Sequence, residues 1–197
     1  MTVFHLVRHA AHGLLGRVLT GRMPGVSLSE DGREQTLRLA ECFSKHPTVA
    51  VVSGPLARAQ ETAAPIAAAL GLDVATDAGL DEIDFGDWTG MAFDALQGSV
   101  EWQAWNRFRG TAPTPGGETM LEALARALPV LARLRRAYPD GEVLLVSHQD
   151  VLKALLMHSL GAPLDLMHRI ELAPASRSII RMFDDGGVRV DGTNLTP

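Results

Sequence analysis

Apolar residues along the chain fall into two patterns, short unbroken runs and longer stretches of helical period. Three runs are nearly continuous: Val3-Phe4-His5-Leu6-Val7, Val49-Ala50-Val51-Val52 and Val143-Leu144-Leu145-Val146. Runs of this length, rich in Val and Leu and separated by helical stretches, predict buried strands of a parallel sheet. The helices between them have readable ends. Ser29 reads as an N-cap, and Glu30 and Asp31 after it favour the positive end of the helix dipole. The inward face of that helix is expected to include Leu37, Ala40 and Phe43. Pro55 fits the first turn of a second helix, which runs to about Leu70 and stops at Gly71. A long helix is predicted over 118–138, with Leu121, Leu124, Leu128 and Leu131 on one face. Pro129 should kink it or end it early. Another helix follows His148 and ends near Gly161.

Between Ala78 and Pro115 the periodicity is lost, and all three tryptophans (Trp88, Trp102 and Trp105) fall there. This segment reads as an insertion of short helices packed over one edge of the sheet, a candidate lid. Residues 178–183 and 188–190 flank Asp185-Gly186-Gly187 and predict a β-hairpin. Together these elements predict one α/β domain over 1–197, a three-layer α/β/α sandwich around a mostly parallel sheet.

Composition narrows the partners. Nearly half of the 197 residues are apolar, enough for a sizeable core, and the net charge of −5 comes without a Lys/Arg run. That balance argues against nucleic acid or an anionic membrane as partner. No apolar stretch approaches the roughly 20 residues a membrane span needs. The start of the chain lacks the charged-then-apolar plan of a signal peptide, so a cytoplasmic location is expected. Cys42 is the only cysteine, which excludes an internal disulfide; its helical, apolar setting predicts a small core residue.

The candidate chemistry gathers where the three runs end. The first runs into Arg8-His9, the second into Ser53-Gly54-Pro55 with Arg58 in the next helical turn, and the third into Ser147-His148. In open α/β sheets ligands bind beyond the carboxyl ends of the strands, and helix N-termini there attract anions. An acidic chain that collects two arginines and two histidines at such an edge is equipped to bind phosphate.

Four ordered blocks resemble the histidine phosphatase (phosphoglycerate-mutase-like) superfamily. Leu6-Val7-Arg8-His9 is similar to its strand-ending Arg-His-Gly signature. Ser53-Gly54-Pro55-Leu56-Ala57-Arg58-Ala59-Gln60-Glu61-Thr62-Ala63 resembles its Ser-x-Pro-Leu-x-Arg-Ala-x-x-Thr-Ala helix opening. Leu80-Asp81-Glu82 with Phe85-Gly86-Asp87-Trp88-Thr89-Gly90 resembles a Leu-x-Glu…Phe-Gly-x-Trp-x-Gly segment, and Val146-Ser147-His148 the second histidine motif. The resemblance implies that His9 is a nucleophile forming a phosphohistidine, that Arg8, Arg58 and His148 surround the phosphoryl oxygens, and that Glu82 is the proton donor. Asp81 and Asp84 are alternative donors. It implies no metal and no cofactor, and a small phosphorylated metabolite as substrate; nothing in it fixes the oligomeric state.

The sequence also departs from the family pattern. Ala10 stands in place of the usual glycine, and Leu15 about where many relatives carry a phosphate-contacting asparagine. Arg22 is a candidate substrate-binding residue or a surface charge of its loop, and His12 a candidate pocket residue or a solvent-facing one. Gly116-Gly117-Glu118-Thr119 resembles a family element beside the site, or is simply a helix start. Three other readings remain: a mutase, a phosphate-binding pseudoenzyme, and a metal site on His9 and His12. The Tyr-Gly…Gly-Leu-Asn-Lys block of the mutases is missing here, and His9 and His12 have no clear third ligand.

Overall fold

The computed structural model describes residues 1–197. Its strands are β1 (Thr2–Arg8), β2 (Thr48–Ser53), β3 (Val74–Thr76), β4 (Glu142–Ser147), β5 (Arg177–Met182) and β6 (Val188–Leu195). They form one sheet in the order β3-β2-β4-β1-β5-β6. The first four in that order are parallel; β5 runs antiparallel to β1, and β6 antiparallel to β5. The helices are α1 (Glu30–Phe43), α2 (Ala57–Leu70), α3 (Phe93–Gln97), α4 (Val100–Arg107), α5 (Met120–Ala137) and α6 (Gln149–Ser159).

Alternation along the strands divides the core between two faces. Val7, Val51, Leu144 and Val146 pack with Leu39 and Phe43 of α1 and with Ala63 and Ile66 of α2. Phe4, Leu6, Val52 and Leu145 pack with Leu124 and Leu131 of α5 and with Leu152 and Leu156 of α6. The result is the expected three-layer sandwich. No helix is long and apolar enough to cross a membrane.

Register and caps aim the functional ends. Arg8 pairs with Ser147, and Ser53 with Val146, so β1, β4 and β2 finish side by side. Ser29 accepts the Gly32 N–H at 3.1 Å, and Thr119 and Glu122 close a capping box at the start of α5. Gly54 follows β2 at a point where a Cβ would lie 2.6 Å from the carbonyl oxygen of Leu80. Only glycine lets the chain pass so close to the segment that leads to Glu82.

Several expectations are corrected. Leu37 is 63% exposed and Leu121 50% exposed, because the buried faces run instead through Thr36, Leu39, Ala40 and Phe43 in α1 and through Met120, Ala123, Leu124, Ala127, Val130, Leu131 and Leu134 in α5. Cys42 is exposed on the same grounds: it sits off the inward stripe of α1. Pro55 precedes the N-cap of α2, Leu56, rather than entering the first turn. Pro129 lies inside α5 without ending it. The short strand β3 was not foreseen, and β6 continues beyond 190 to Leu195.

The aperiodic segment does fold into short helices, α3 and α4 preceded by two 3₁₀ turns at Ala78–Leu80 and Gly86–Trp88. Its aromatic residues pack on one another: Trp102 stacks on Trp105 at 5.1 Å between ring centres, and Phe85 meets Trp105 edge-on at 5.4 Å.

Candidate active site

A cavity of about 530 Å³ opens at the carboxyl ends of β1 and β4. Arg8, His9 and His12 line it from the end of β1, Glu82 from the segment after β3, and Asp150 from the first turn of α6. His148 caps α6 and its ring lies 5.1 Å from that of His9. Arg58, in the first turn of α2, is almost fully buried beside them. The structure therefore brings Arg8, His9, His12, Arg58, Glu82 and His148 together.

Each histidine is held neutral. Burial, followed by the charges of Arg58 and Arg8, drives His9 well below its ordinary pKa. Its Nδ1–H donates to the Ala10 carbonyl at 2.8 Å, which leaves the lone pair on Nε2. Burial, then His9 and Arg58, lowers His148 well below the ordinary value. Burial, then Arg58 and Arg8, lowers His12 to about 4. The Leu14 N–H donates to His12 Nδ1 at 3.3 Å, so the proton of that ring sits on Nε2.

The cations are anchored at one edge only. Arg8 donates Nη1 to the Leu172 carbonyl, and Arg58 donates Nη2 to the Gly21 carbonyl at 2.6 Å. Arg8 Nε, Arg58 Nε and Nη1, and both ring nitrogens of His148 are buried without a partner. Buried donors normally find acceptors, and the neutral His148 ring has one N–H, so these atoms supply four unpartnered donors near His9, the lining of an anion site.

Glu82 faces this cluster in the opposite protonation state. Burial, then the neighbouring charge of Asp150, pushes its carboxyl up to about 8, against the pull of Arg58. Its backbone is clamped from behind. Arg126 of α5 donates to the carbonyls of Gly79, Asp81 and Glu82 at 2.9–3.0 Å and forms an ion pair with Glu118 at 2.9 Å.

Arg22 neither lines the cavity nor joins the cluster around His9. It donates Nε to the Glu82 carbonyl at 2.8 Å and pairs with Glu118 at 2.8 Å, with Asp81 and Asp84 at 3.6 Å. Those carboxylates draw it behind the loop rather than toward a ligand. Gly116-Gly117-Glu118-Thr119 joins the same network, since Glu118 also accepts the Asp84 N–H. Leu15 does line the cavity mouth, an apolar group where an asparagine was the pattern.

Sequence reasoning missed Arg126, Arg109 and Asp150. Arg109 pairs with Asp150 at 3.1 Å and lies over the Trp105 ring at 3.5 Å. Asp150, two residues after His148, could have been suspected from that spacing; Arg109 follows no pattern. His5, His46 and Glu142 form a separate group whose ligand atoms lie within 4.8 Å of one another. There Arg177 donates to His46 Nε2 at 3.1 Å and Glu142 already bonds His5 at 2.8 Å, an arrangement suited to a proton network rather than a cation.

A neutral imidazole with its lone pair free, set among arginines and opposite a protonated carboxyl, is the equipment for moving a phosphoryl group. Residues 4–196 match the histidine phosphatase superfamily, branch 1, and the chain belongs to that family. The bifunctional protein Rv2228c of Mycobacterium tuberculosis is 39% identical over 172 residues, 86% of this chain and 47% of that protein. The chain thus spans about half the length of that relative. A glucosyl-3-phosphoglycerate phosphatase of the same organism is 32% identical over 165 residues, covering 77% of this chain and 74% of its own. The native structure of a mycobacterial glucosyl-3-phosphoglycerate phosphatase superposes with a TM-score of 0.89 at 27% identity, covering 98% of this chain and 99% of that one. YhfR of Bacillus stearothermophilus shares the fold, with a TM-score of 0.93 at 24% identity over 100% and 98% of the two chains.

Proposed function

We propose that this protein is a phosphomonoesterase that works through a phosphohistidine on His9, with Glu82 as proton donor. The observation that carries the reading is the His9 ring itself: neutral, with Nδ1–H tied to the Ala10 carbonyl, and flanked by cations whose inner donors are unpartnered.

In the first step His9 Nε2 attacks phosphorus in line with the ester oxygen. The N–P bond forms as the P–O bond breaks, and the leaving alkoxide takes the proton of Glu82. In the second step water attacks phosphorus and gives its proton to the Glu82 carboxylate. The N–P bond breaks, phosphate departs, and His9 returns to its neutral form. Arg8, Arg58 and a ring N–H of His148 stabilise the equatorial oxygens, where charge spreads in the transition state. These groups supply the positive field that a divalent cation supplies in other phosphoryl-transfer sites. His12 lines the same pocket and offers Nε2–H to substrate.

The chain on this reading works as one unit over 1–197, and 78–115 covers the site as a lid. Small phosphorylated metabolites are the substrate class, supported by the glucosyl-3-phosphoglycerate phosphatases among the relatives.

The test is hydrolysis of a phosphomonoester panel in excess chelator, comparing wild type with His9→Ala and Glu82→Gln. Activity should survive chelation and vanish in His9→Ala. In Glu82→Gln it should fall by roughly 10²- to 10⁴-fold, the usual weight of general acid–base catalysis. Full activity in His9→Ala, or complete loss on chelation, would overturn the proposal.

A further inference from the structure

The setting of His9 is built by side chains that do not line its cavity. After β1 the chain turns through His9, Ala10 and Ala11, and their successive backbone N–H groups go to three different elements. His9 donates to the Ser147 carbonyl at the end of β4, at 2.9 Å. Ala10 donates to Thr62 Oγ1 of α2 at 3.0 Å, and Ala11 to Gln35 Oε1 of α1 at 2.9 Å. Thr62 is fully buried, and its own proton goes to the Arg58 carbonyl at 2.7 Å, which leaves a lone pair for Ala10. Gln35 is brought within reach by the start of its helix. The Ser29 N–H and hydroxyl both donate to the Ala11 carbonyl, at 3.0 and 3.2 Å. Gly32 lets α1 pass close to that oxygen, where any Cβ would collide with it.

The peptide between Ala10 and Ala11 joins these contacts to the chemistry. Its oxygen accepts the Nδ1–H of His9 at 2.8 Å, and its N–H is the one that Gln35 accepts. A peptide bonded at both ends is polarised, so each hydrogen bond strengthens the other. Turning its plane would break both and leave buried polar groups unpaired. The demand on that oxygen grows during reaction. As Nε2 forms the N–P bond, Nδ1 keeps its proton and the ring takes on positive charge, which makes Nδ1–H a stronger donor. Arg8 and Arg58 oppose a positive ring; the Ala10 carbonyl favours it. An acceptor placed there therefore stabilises the transition state more than the resting enzyme.

We infer that Gln35 and Thr62 are positioning residues for His9: they fix the peptides on either side of Ala10, so that its carbonyl keeps the ring proton on Nδ1 and Nε2 free to attack. The inference rests on the reading of His9 as nucleophile and deepens it. Neither side chain lines the cavity, so their loss should fall on kcat and leave KM little changed. Gln35 and Thr62 come from different helices, yet their removal should have the same signature, because both act through one backbone turn.

The experiment compares Gln35→Met and Thr62→Val, which keep size but lose the acceptor, with Gln35→Glu and Thr62→Ser, which keep it. Turnover of p-nitrophenyl phosphate is the first readout. In Gln35→Met and Thr62→Val kcat should fall by about tenfold or more, the scale expected when a reacting group is misplaced. Gln35→Glu and Thr62→Ser should restore most of it. The second readout, ring nitrogen NMR of histidine-labelled protein, needs no turnover; the His9 signals are those missing from His9→Ala. Wild type should show a protonated Nδ1 and a bare Nε2, and the two acceptor-free variants a mixture of tautomers. Gln35 is only partly buried, so Gln35→Met decides alone if Thr62→Val does not fold. Either readout unmoved in the acceptor-free variants would overturn the inference, as would a loss confined to KM or one shared equally by the acceptor-keeping variants. His9→Ala separates the two levels. Hydrolysis retained there sinks the phosphohistidine reading, whereas hydrolysis lost there, with wild-type behaviour in the other variants, sinks only the role of Gln35 and Thr62.

Discussion

At the scale of single residues, the account turns on two groups pushed in opposite directions by the same burial. His9 is held neutral so that Nε2 can attack, and Glu82 is raised to about 8 so that it carries a proton at neutrality. An acid with that pKa must stop working as it deprotonates. The rate of the ester-cleaving step should therefore fall as pH rises through about 8, and Glu82→Gln should abolish that alkaline limb along with most of the rate. A pH–rate profile whose alkaline limb is the same in both proteins would remove Glu82 from the role. Arg8, His9 and His148 were legible in the sequence because each follows an apolar run within two residues, and Arg58 because it opens the helix that the second run leads into. Arg22 was legible as a charge but not in its destination, because Glu118, Asp81 and Asp84 come together with it only after folding.

At the scale of elements, α5 does more than fill a layer. Arg126 reaches from its flank to the carbonyls of Gly79, Asp81 and Glu82, and so acts as a positioning residue. Arg126→Met should lower kcat by roughly 10- to 100-fold with little change in KM, since small misplacements of a catalytic group are costly. Added to Glu82→Gln it should cost little more, because its effect passes through that carboxyl. Fully multiplicative losses in the double variant would assign Arg126 a merely structural role. The helical pattern could not announce this residue: on an amphipathic helix an arginine outside the apolar stripe reads as a solvated one. The same blur put Leu37, Leu121 and Cys42 inside when they are outside, since a stripe a single position wide decides their fate. Pro129 misled for another reason. It is exposed on α5, where a packed apolar face holds the helix together across the missing N–H.

For the whole molecule, the sheet was legible and its short edge was not. The three apolar runs became the adjacent strands β2, β4 and β1, whereas β3 has three residues, two of them exposed, and leaves no apolar run to read. Concentrating neutral histidines and a protonated glutamate in one core should also shape stability. His9 and His148 are uncharged when folded but bind protons below about 6.5 when unfolded, so stability falls as pH drops below that value. Glu82 does the reverse. Between its ordinary value of 4.5 and about 8 only the folded state holds the proton, so stability declines as pH rises through that window. Urea unfolding across about pH 5 to 9 should give a maximum near neutrality, and Glu82→Gln should flatten the alkaline side. A wild-type stability that keeps rising through pH 9 would contradict this arrangement of charges.

The most direct test of the central claim is to quench the enzyme during turnover of a phosphomonoester and locate the phosphate by mass spectrometry. An acid-labile, base-stable phosphoryl group on the imidazole of His9, absent from His9→Ala, is the predicted result. A phosphoryl group on another side chain, or one undiminished in His9→Ala, would contradict the account.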